Sequence, residues 1–207
     1  MSFCLIILAG GKSHRFKSNL SKPYQKIGGK SLLEININKA LNFNQIKKII
    51  VVFNKKDSKR VKFLKYKNIQ LIEGGKSRQE STFNALKSLI KIKGIKNVLI
   101  HDAARPNFSL NLLNRIIKNM KSSSAVVPKI NIQDAVKQKF DSGKYEYIIG
   151  KDREDLFLTQ TPQAFKLKEI FQLHKNYSSK YRDDDISLFM NLNKVKILLE
   201  PASLNTA

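Results

Sequence analysis

The stretch Phe3-Cys-Leu-Ile-Ile-Leu-Ala-Gly-Gly-Lys-Ser-His-Arg15 decides the fold of this chain. Its first six residues form a continuous apolar run, which predicts a strand buried on both faces of a sheet. Gly10 and Gly11 then allow the backbone to turn tightly and to approach a ligand closely. The free N–H groups of such a turn favour phosphate oxygens, and Arg15 and Lys22 add two cations nearby. The sequence therefore predicts a phosphate-binding turn at the end of a buried strand.

Apolar runs and helical patterns alternate along most of the remaining chain. Further strands are expected at residues 49–53, 69–72, 98–100, 125–127 and 195–199. Helices are expected after Ser31 (burying Leu32, Leu33, Ile35 and Ala40), from Ser77 or Arg78, over residues 110–120 and 168–177, and after the cap Asp183-Asp-Asp185. This alternation is typical of right-handed β-α-β units. It predicts an α/β fold: a single Rossmann-like domain with a mainly parallel twisted sheet and helices on both faces.

Three loops of this predicted sheet are expected to form one cleft. They are the glycine turns at residues 10–11 and 74–75 and the segment 101–106, each of which directly follows a predicted strand. Because ligands of such sheets bind beyond the carboxyl ends of the strands, these loops should meet although they are far apart in sequence.

Residues from about 130 to 150 interrupt the alternation and predict a protruding β-hairpin arm. An isolated two-stranded hairpin is marginally stable in water, so we expect the arm to pack on a second copy of the chain and to form a homodimer. Nothing else in the composition divides the chain, and the prediction is one domain over residues 1–207.

The formal net charge of +23 raises the question of nucleic-acid binding. The 39 lysines and arginines are spread as single residues and pairs along every segment, without a long basic run. This distribution favours a solvated cationic surface that attracts anionic substrates. We therefore expect no nucleic-acid partner, and a basic nucleic-acid-binding protein stays the alternative from a different functional class.

A cytoplasmic location and no membrane association are expected. No apolar run approaches the roughly 20 residues that a membrane-spanning helix needs, and the N-terminus lacks the pattern of a secretory signal. The single cysteine, Cys4, falls within the first predicted strand. We expect it to pack as a small apolar residue rather than to act in catalysis.

Four segments occur in an order that resembles a known enzyme family. They are residues 8–15 with Ser21-Lys22, Gly74-Gly-Lys-Ser-Arg-Gln-Glu-Ser81, His101-Asp-Ala-Ala-Arg-Pro106, and Gln160-Thr-Pro-Gln-Ala-Phe165. Together they resemble the 2-C-methyl-D-erythritol 4-phosphate cytidylyltransferases, nucleotidyltransferases of the non-mevalonate isoprenoid pathway. The first segment is shared by many nucleotidyltransferases, whereas the last two are far more specific in combination. The resemblance implies transfer of CMP from CTP to 2-C-methyl-D-erythritol 4-phosphate, forming 4-diphosphocytidyl-2-C-methyl-D-erythritol and pyrophosphate.

The resemblance also implies roles for individual residues. The two catalytic cations of the family are matched by Arg15 and Lys22, which would stabilise charge on the reacting phosphate. The nucleotide-binding positions are matched by Ala9, Gly10, Gly11, Gly75, Ser81 and Ala103. The substrate-binding positions are matched by Asp102, Arg105, Arg153 and Thr161. Mg²⁺ or another divalent cation would be held mainly by the CTP phosphates, with no direct protein ligand assigned.

Some of these assignments leave a structural alternative open. The alternative for Arg105 and Arg153 is a structural ion pair, and for Thr161 it is a role confined to shaping the Thr-Pro turn. Arg78 is expected to order its own loop rather than to contact substrate. His101 and His14 are assigned no proton transfer, because a phosphate nucleophile is already ionised at pH 7.

Three features depart from the family pattern. Ala135 stands where the family usually has a substrate-binding threonine. Asp183 also replaces a threonine, and because a carboxylate facing a substrate phosphate is unfavourable, it is expected to cap a helix. The late Asn-Ile-Lys-Ile-Thr segment has no counterpart in a C-terminus that is short for the family, with Lys194 or Lys196 as the candidate replacement for its lysine. A ribitol- or other sugar-phosphate cytidylyltransferase and a catalytically impaired relative therefore stay as alternatives.

Overall fold

The computed structural model describes residues 1–11, 20–64, 66–139, 145–147, 152–176, 184–189 and 194–200. The strands in these ranges are β1 (Phe3–Ala9), β2 (Lys26–Ile27), β3 (Lys30–Ser31), β4 (Ile46–Phe53), β5 (Ile69–Glu73), β6 (Asn97–Asp102), β7 (Ala125–Asn131), β8 (Lys137–Lys139), β9 (Tyr145–Tyr147), β10 (Phe157–Thr159), β11 (Gln163–Lys166) and β12 (Val195–Leu199). The α-helices are α1 (Leu32–Leu41), α2 (Ser58–Val61), α3 (Arg78–Leu89), α4 (Leu110–Asn119) and α5 (Leu167–Lys175). Short 3-10 turns lie at Lys22–Tyr24, Lys55–Asp57, Arg153–Asp155 and Ile186–Leu188.

Eight strands form one mainly parallel sheet around β1. β1 runs parallel to β4 on one side and to β6 on the other, and β5 continues the parallel order beyond β4. On the far side of β6 the short strand β11 runs antiparallel between β6 and β7. β7 also pairs with β10, antiparallel, and with β12, parallel. This sheet confirms the predicted α/β class, with β11 and β10 as its antiparallel members.

The side chains of β1 alternate between two hydrophobic cores, one on each face of the sheet. Phe3, Leu5 and Ile7 enter the core that α1 and α4 cover. Cys4 and Ile6 enter the core that α3 and α5 cover. Both sets are buried, which explains why the strand reads as a continuous apolar run, and the expected helices on both faces are present.

Cys4 is buried and unpaired in this strand. Burial in the apolar core raises the pKa of its thiol, which disfavours the reactive thiolate. The predicted packing role of this cysteine is therefore consistent with its surroundings. No helix in the described ranges is long and apolar enough to cross a bilayer.

The hairpin within residues 130–150 begins later in the chain than expected. β8 and β9 pair antiparallel, with Lys137 opposite Tyr147, which confirms a hairpin in this part of the chain. Ile130 instead belongs to β7 and pairs with Leu158 of β10 in the main sheet. Residues 140–144 and 148–151 lie outside the described residues, and the contact with a second copy stays a prediction.

The aspartates that were expected to cap a last helix precede the 3-10 turn Ile186–Leu188. The Ser187 backbone N–H donates to Asp184 Oδ1 at 3.2 Å, so Asp184 takes the capping role. Asp183, for which that role was predicted, lies outside the described residues.

Candidate active site

The carboxyl ends of the central strands bring the predicted loops together. The Ala103 N–H, just after β6, donates to the Leu8 carbonyl oxygen near the end of β1 at 3.1 Å. The Gly74 N–H, after β5, donates to the Phe53 carbonyl oxygen at the end of β4 at 2.8 Å. A Cβ placed on Gly10 would lie 3.5 Å from the Asn54 nitrogen, just after β4. The predicted convergence of the two glycine turns and residues 101–106 is confirmed.

The second glycine turn is fixed to the start of α3. The Gly75 N–H donates to Ser81 Oγ at 3.0 Å, so these two predicted nucleotide-binding residues are in direct contact. The Lys76 N–H donates to Glu80 Oε2 at 2.7 Å. A Cβ on Gly75 would lie 2.3 Å from Glu80 Cγ, and glycine at this position therefore leaves room for the Glu80 side chain that closes the turn.

The first glycine turn is described up to its second glycine. Ala9 is buried at the end of β1, Gly10 is half-buried and Gly11 is exposed. Lys22 opens the 3-10 turn Lys22–Tyr24 and is half-buried. Arg15, the other predicted catalytic cation, lies in residues 12–19, outside the described residues, as does His14. The pairing of Arg15 with Lys22 stays a prediction.

The backbone around Lys22 is held beside α1. The Tyr24 N–H donates to the Ser21 carbonyl oxygen at 2.9 Å, and the Leu32 N–H donates to the Gln25 carbonyl oxygen at 3.0 Å. Ser31 caps α1 with a reciprocal pair of bonds to Glu34, a capping box. These hydrogen bonds fix the position of the Lys22 backbone.

Asp102 lies between two arginines at the end of β6. Its Oδ2 is 3.5 Å from Arg105 Nε, and its Oδ1 is 3.7 Å from Arg78 Nη2. The Arg105 guanidinium also donates to Gln160 Oε1. The structural ion pair left open for Arg105 is therefore present, and its partner, Asp102, is another of the predicted substrate-binding residues. The Asp102 side chain is 36% exposed, so the carboxylate is accessible to a ligand.

Arg78 does more than order its own loop. Its Nη1 donates to Oδ2 of the fully buried Asp185 at 2.6 Å, and the other Asp185 oxygen lies 3.0 Å from His174 Nε2 on α5. Burial alone would raise the pKa of Asp185, but the Arg78 charge and the His174 hydrogen bond outweigh it, and the pKa lies below its usual value. Burial would likewise lower the pKa of Arg78, but Asp185 and Asp102 hold it above its usual value.

His101 precedes Asp102 and is completely buried. Its Nε2 lies 2.8 Å from the Arg105 carbonyl oxygen and 3.2 Å from Asn36 Oδ1 of α1. Its Nδ1 lies 3.0 Å from Thr161 Oγ1, and the same hydroxyl oxygen accepts the Asp102 N–H at 3.3 Å. Thr161 therefore bonds to the β6 end in addition to shaping its turn.

Arg153 lies on a different segment from the Asp102–Arg105 pair. It is exposed in the turn Arg153–Asp155, and its Nη1 donates to the Gln133 carbonyl oxygen at 3.0 Å. This contact ties Arg153 to the segment that contains the exposed Ala135 and leads into β8. The contact of Arg153 with substrate stays a prediction, as does the dimer.

Lys194 and Lys196 were the candidate replacements for the family's late lysine. Lys194 directly precedes β12, and Lys196 is the second residue of that strand, opposite Val126 near the start of β7. Because β7 and β6 both run antiparallel to β11, β12 runs in the same direction as β6. Both lysines therefore lie toward the amino ends of the strands, away from the Asp102 edge, and the structure does not bring them to the site.

Sequence reasoning missed the buried partners of the site. Asn36 was assigned no role, although its amide contacts both His101 and the Ala103 carbonyl oxygen. His174 was likewise assigned none, and Asp185 was interpreted only as a cap. A polar residue on an otherwise apolar helix face was the available signal for Asn36. No comparable signal marked His174.

Comparisons with known proteins agree with this arrangement. The family described as IspD, 2-C-methyl-D-erythritol 4-phosphate cytidylyltransferase, matches residues 3–199. The bifunctional enzyme IspD/IspF of Pelagibacter ubique is 49% identical over 199 residues, covering 96% of this chain and 52% of that protein. The 2-C-methyl-D-erythritol 4-phosphate cytidylyltransferase of Thermosipho africanus is 35% identical, covering 93% of this chain and 86% of that protein.

Solved structures show the same fold. The crystal structure of 4-diphosphocytidyl-2C-methyl-D-erythritol synthase from Anaerococcus prevotii superimposes with a TM-score of 0.83 and 31% identity, over 100% of this chain and 90% of that chain. The present chain thus spans most of the Anaerococcus prevotii protein but about half the length of the bifunctional relative.

Proposed function

The chain belongs to the 2-C-methyl-D-erythritol 4-phosphate cytidylyltransferase family, and on that premise we propose that it transfers CMP from CTP to 2-C-methyl-D-erythritol 4-phosphate, releasing pyrophosphate. The observation that carries the proposal is the meeting of two glycine turns with the Asp102–Arg105 pair at one edge of the sheet. A glycine turn that lets a ligand approach its backbone, with cations beside it, suits a triphosphate at such an edge. A half-exposed carboxylate beside them suits the hydroxyl groups of a polyol.

In this reaction an oxygen of the substrate phosphate attacks the α-phosphorus of CTP, and the bond from that phosphorus to the pyrophosphate oxygen breaks. Such transfers need charge stabilisation and alignment more than acid–base chemistry. We assign the stabilisation to Lys22 and Arg15, whose fixed charges would face the oxygens that gain negative charge. The turns at residues 9–11 and 75–81, with Ala103, would hold the nucleotide.

Arg105 and Asp102 would bind the second substrate. The Arg105 guanidinium contacts Asp102 and Gln160. A substrate phosphate would compete with Asp102 for Arg105, because a guanidinium binds phosphate oxygens in a two-pronged geometry. Asp102 would then be released toward the hydroxyl groups of the polyol. Thr161, whose hydroxyl oxygen accepts the Asp102 N–H, would contribute to this substrate site through its turn.

Mg²⁺ or another divalent cation is proposed as the cofactor, held mainly by the CTP phosphates. In the described ranges no group of three or more His, Cys, Asp or Glu side chains is placed to hold a metal ion by itself. The accessible Asp102 carboxylate is a hard oxygen donor of the kind that Mg²⁺ accepts beside phosphate ligands, so the residues present fit such an ion. When bound, the ion would neutralise charge on the triphosphate.

A homodimer through residues 130–150 is also part of the proposal. The contact between Arg153 and the Gln133 carbonyl oxygen places this arginine on the segment that leads into the arm. In a dimer this segment of one protomer would approach the strand ends of its partner and bring Arg153 to the substrate phosphate. We expect the enzyme to act in the cytoplasm on its two water-soluble substrates.

Pyrophosphate release tests the function directly. The protein is incubated with CTP, Mg²⁺ and one of three acceptors: methylerythritol phosphate, ribitol phosphate or no polyol. Release that depends on CTP and is fastest with methylerythritol phosphate supports the proposal. A preference for ribitol phosphate would transfer the assignment to the ribitol class. No release with any acceptor would contradict the catalytic proposal.

Lys22→Ala and Arg15→Ala test the catalytic cations. We expect each substitution to lower kcat by about two to three powers of ten, the usual effect of losing one preorganised transition-state contact. Lys26→Ala is a suitable control, because Lys26 is an exposed lysine four residues after Lys22. Near-normal turnover of both catalytic variants would contradict the assignment.

A further inference from the structure

We propose that His101 is a positioning residue: a neutral imidazole with its proton on Nε2, which ties the Asp102–Arg105 segment to Thr161 and α1. This inference rests on the proposed function for its kinetic consequence, since the segment it holds is the proposed substrate-binding pair. The position of the ring proton of His101 can be measured without an activity assay. The contacts of the two ring nitrogens carry the argument.

The Nε2 side of the ring faces oxygen atoms that accept hydrogen bonds. Nε2 lies 2.8 Å from the Arg105 carbonyl oxygen and 3.2 Å from Asn36 Oδ1. The Asn36 amide is oriented by its Nδ2, which donates to the Ala103 carbonyl oxygen at 2.9 Å. Because a carbonyl oxygen accepts and does not donate, Nε2 carries the ring proton.

The Nδ1 side faces a hydroxyl that is itself already used as an acceptor. Thr161 Oγ1 lies 3.0 Å from Nδ1 and accepts the Asp102 N–H at 3.3 Å. Its own proton is then directed to Nδ1, which needs no proton of its own. The chain of bonds runs in one direction, from the Asp102 N–H through Thr161 and the imidazole to the Arg105 carbonyl oxygen.

The surroundings favour the neutral ring. His101 has no exposed surface, and the Phe108 ring meets it edge-on at a centroid distance of 4.7 Å. The charged groups that face it are Asp102 on its own strand, Arg105 on the following loop and Lys39 from α1. Burial is the largest influence and lowers the pKa of His101 to about 4, although Asp102 opposes it.

Both ends of the substrate-binding segment depend on this ring. The backbone N–H of Asp102 is bound through Thr161, and the backbone carbonyl of Arg105 is bound by Nε2 itself. Lys39 holds the next part of the loop, donating to the Pro106 carbonyl oxygen at 2.6 Å and to the Phe108 carbonyl oxygen at 3.2 Å. The imidazole therefore fixes two proposed ligands of one substrate without touching that substrate.

Kinetics of matched variants test the positioning role. His101→Gln and Thr161→Val remove the Nδ1–hydroxyl bond, and Thr161→Ser keeps it. We expect the first two to lower kcat/KM for methylerythritol phosphate about tenfold to a hundredfold, as the loss of one or two buried hydrogen bonds implies. KM for CTP should change less than about twofold, and Thr161→Ser should recover most of the activity.

Ile116→Val, a core change on α4, serves as a destabilised control that leaves the site untouched. A purely structural role for His101 predicts the same behaviour in His101→Gln as in this control: fewer folded molecules, each with normal kinetics. That result would overturn the proposal. An equal loss for both substrates would overturn it as well.

Long-range ¹H–¹⁵N correlation spectra of the imidazole test the proton position in the unmodified protein. We expect a single Nε2–H tautomer at pH 8. An Nδ1–H tautomer would overturn the inference. Failure of the wild-type enzyme to release pyrophosphate would instead count against the proposed function, so the two failures are distinguishable.

Discussion

Two buried histidines of this protein have opposite surroundings. His101 faces two carbonyl oxygens and a hydroxyl, whereas His174 faces the Asp185 carboxylate, which in turn binds the Arg78 guanidinium. Both histidines are almost completely removed from solvent. Burial alone therefore does not determine what a histidine does here. Neutral partners let the first hold backbone geometry, and charged partners make the second part of an ion-pair network.

The two networks meet at one carboxylate. Arg78 reaches from Asp185 to within 3.7 Å of Asp102, and Asp102 follows His101 directly in β6. The neutral network, centred on His101, positions the Asp102 backbone. The charged network, centred on Asp185, places the positive charge of Arg78 near the Asp102 carboxylate. The following predictions separate these contributions, beginning with the largest expected effect.

Asp185→Ala should destabilise the protein most. We expect the free energy of unfolding to fall by about 3–5 kcal/mol, because Arg78 would lose a buried counter-charge and His174 a buried hydrogen-bond partner. Urea denaturation at pH 7 measures the change. Glu169→Ala, on the same helix as His174 but exposed, is the control and should cost less than about 1 kcal/mol. A similarly small loss for Asp185→Ala would contradict this expectation and show that the contacts of Asp185 with Arg78 and His174 add no stability.

Lowering the pH should weaken the neutral network first. The pKa of His101 is about 4 in the folded chain, and the usual value near 6.5 applies when the chain is unfolded. Between these two pH values the unfolded chain therefore binds a proton on His101 that the folded chain does not bind. The stability that the neutral His101 ring contributes is fully present above pH 6.5. It is lost as the pH falls toward 4, by about 3 kcal/mol in total.

Unfolding free energies of wild type and His101→Gln, measured between pH 7 and pH 4, test this expectation. The variant should show a flatter dependence over that interval. The depressed pKa of Asp185 acts in the same direction but at lower pH, since its contribution is lost only as the pH falls through the folded pKa of that carboxyl. Equal slopes for the two proteins would show that His101 does not exclude a proton on folding.

Ser77→Ala should have the smallest effect. Ser77 Oγ accepts the Glu80 N–H at 3.1 Å and so starts α3 at Arg78. Losing this cap should cost about 1 kcal/mol, with no change between pH 7 and pH 5, and Ser77→Asp should restore it. Thermal unfolding at both pH values checks the size. A loss as large as that of Asp185→Ala would mean that the helix start, rather than the ion pair, holds the charged network.

Much of the fold could be predicted because its signals are local. The apolar runs of β1 and β4, the cap Ser31 and the helix start near Ser77 depend on residues close in sequence, and all four are present as expected. Helical spacing was less exact for α1, where Ile35 was expected in the core. Ile35 is half-buried, and Asn36 and Ile37 lie fully inside, because the Asn36 amide finds partners 67 residues away at Ala103 and 65 away at His101.

The candidate site divides in the same way. Its glycine turns and Asp102 were predictable, because each follows an apolar run and the ends of parallel strands share one edge. The bond between Arg78 and Asp185 joins residues 107 apart. A single sequence with many charged residues does not indicate which two of them form such a pair. The contacts of Arg15 and the dimer role of Arg153 stay predictions.

The position of β11 has a consequence for how the chain acquires its final form during biosynthesis. Residues 163–166 fill the space between β6 and β7, two strands that are translated before them. A nascent polypeptide that has not yet extended past this point keeps an open edge on β6 and lacks Gln160 and Thr161, the partners of Arg105 and Asp102. The binding pocket can therefore form only after residues 160–166 have left the ribosome.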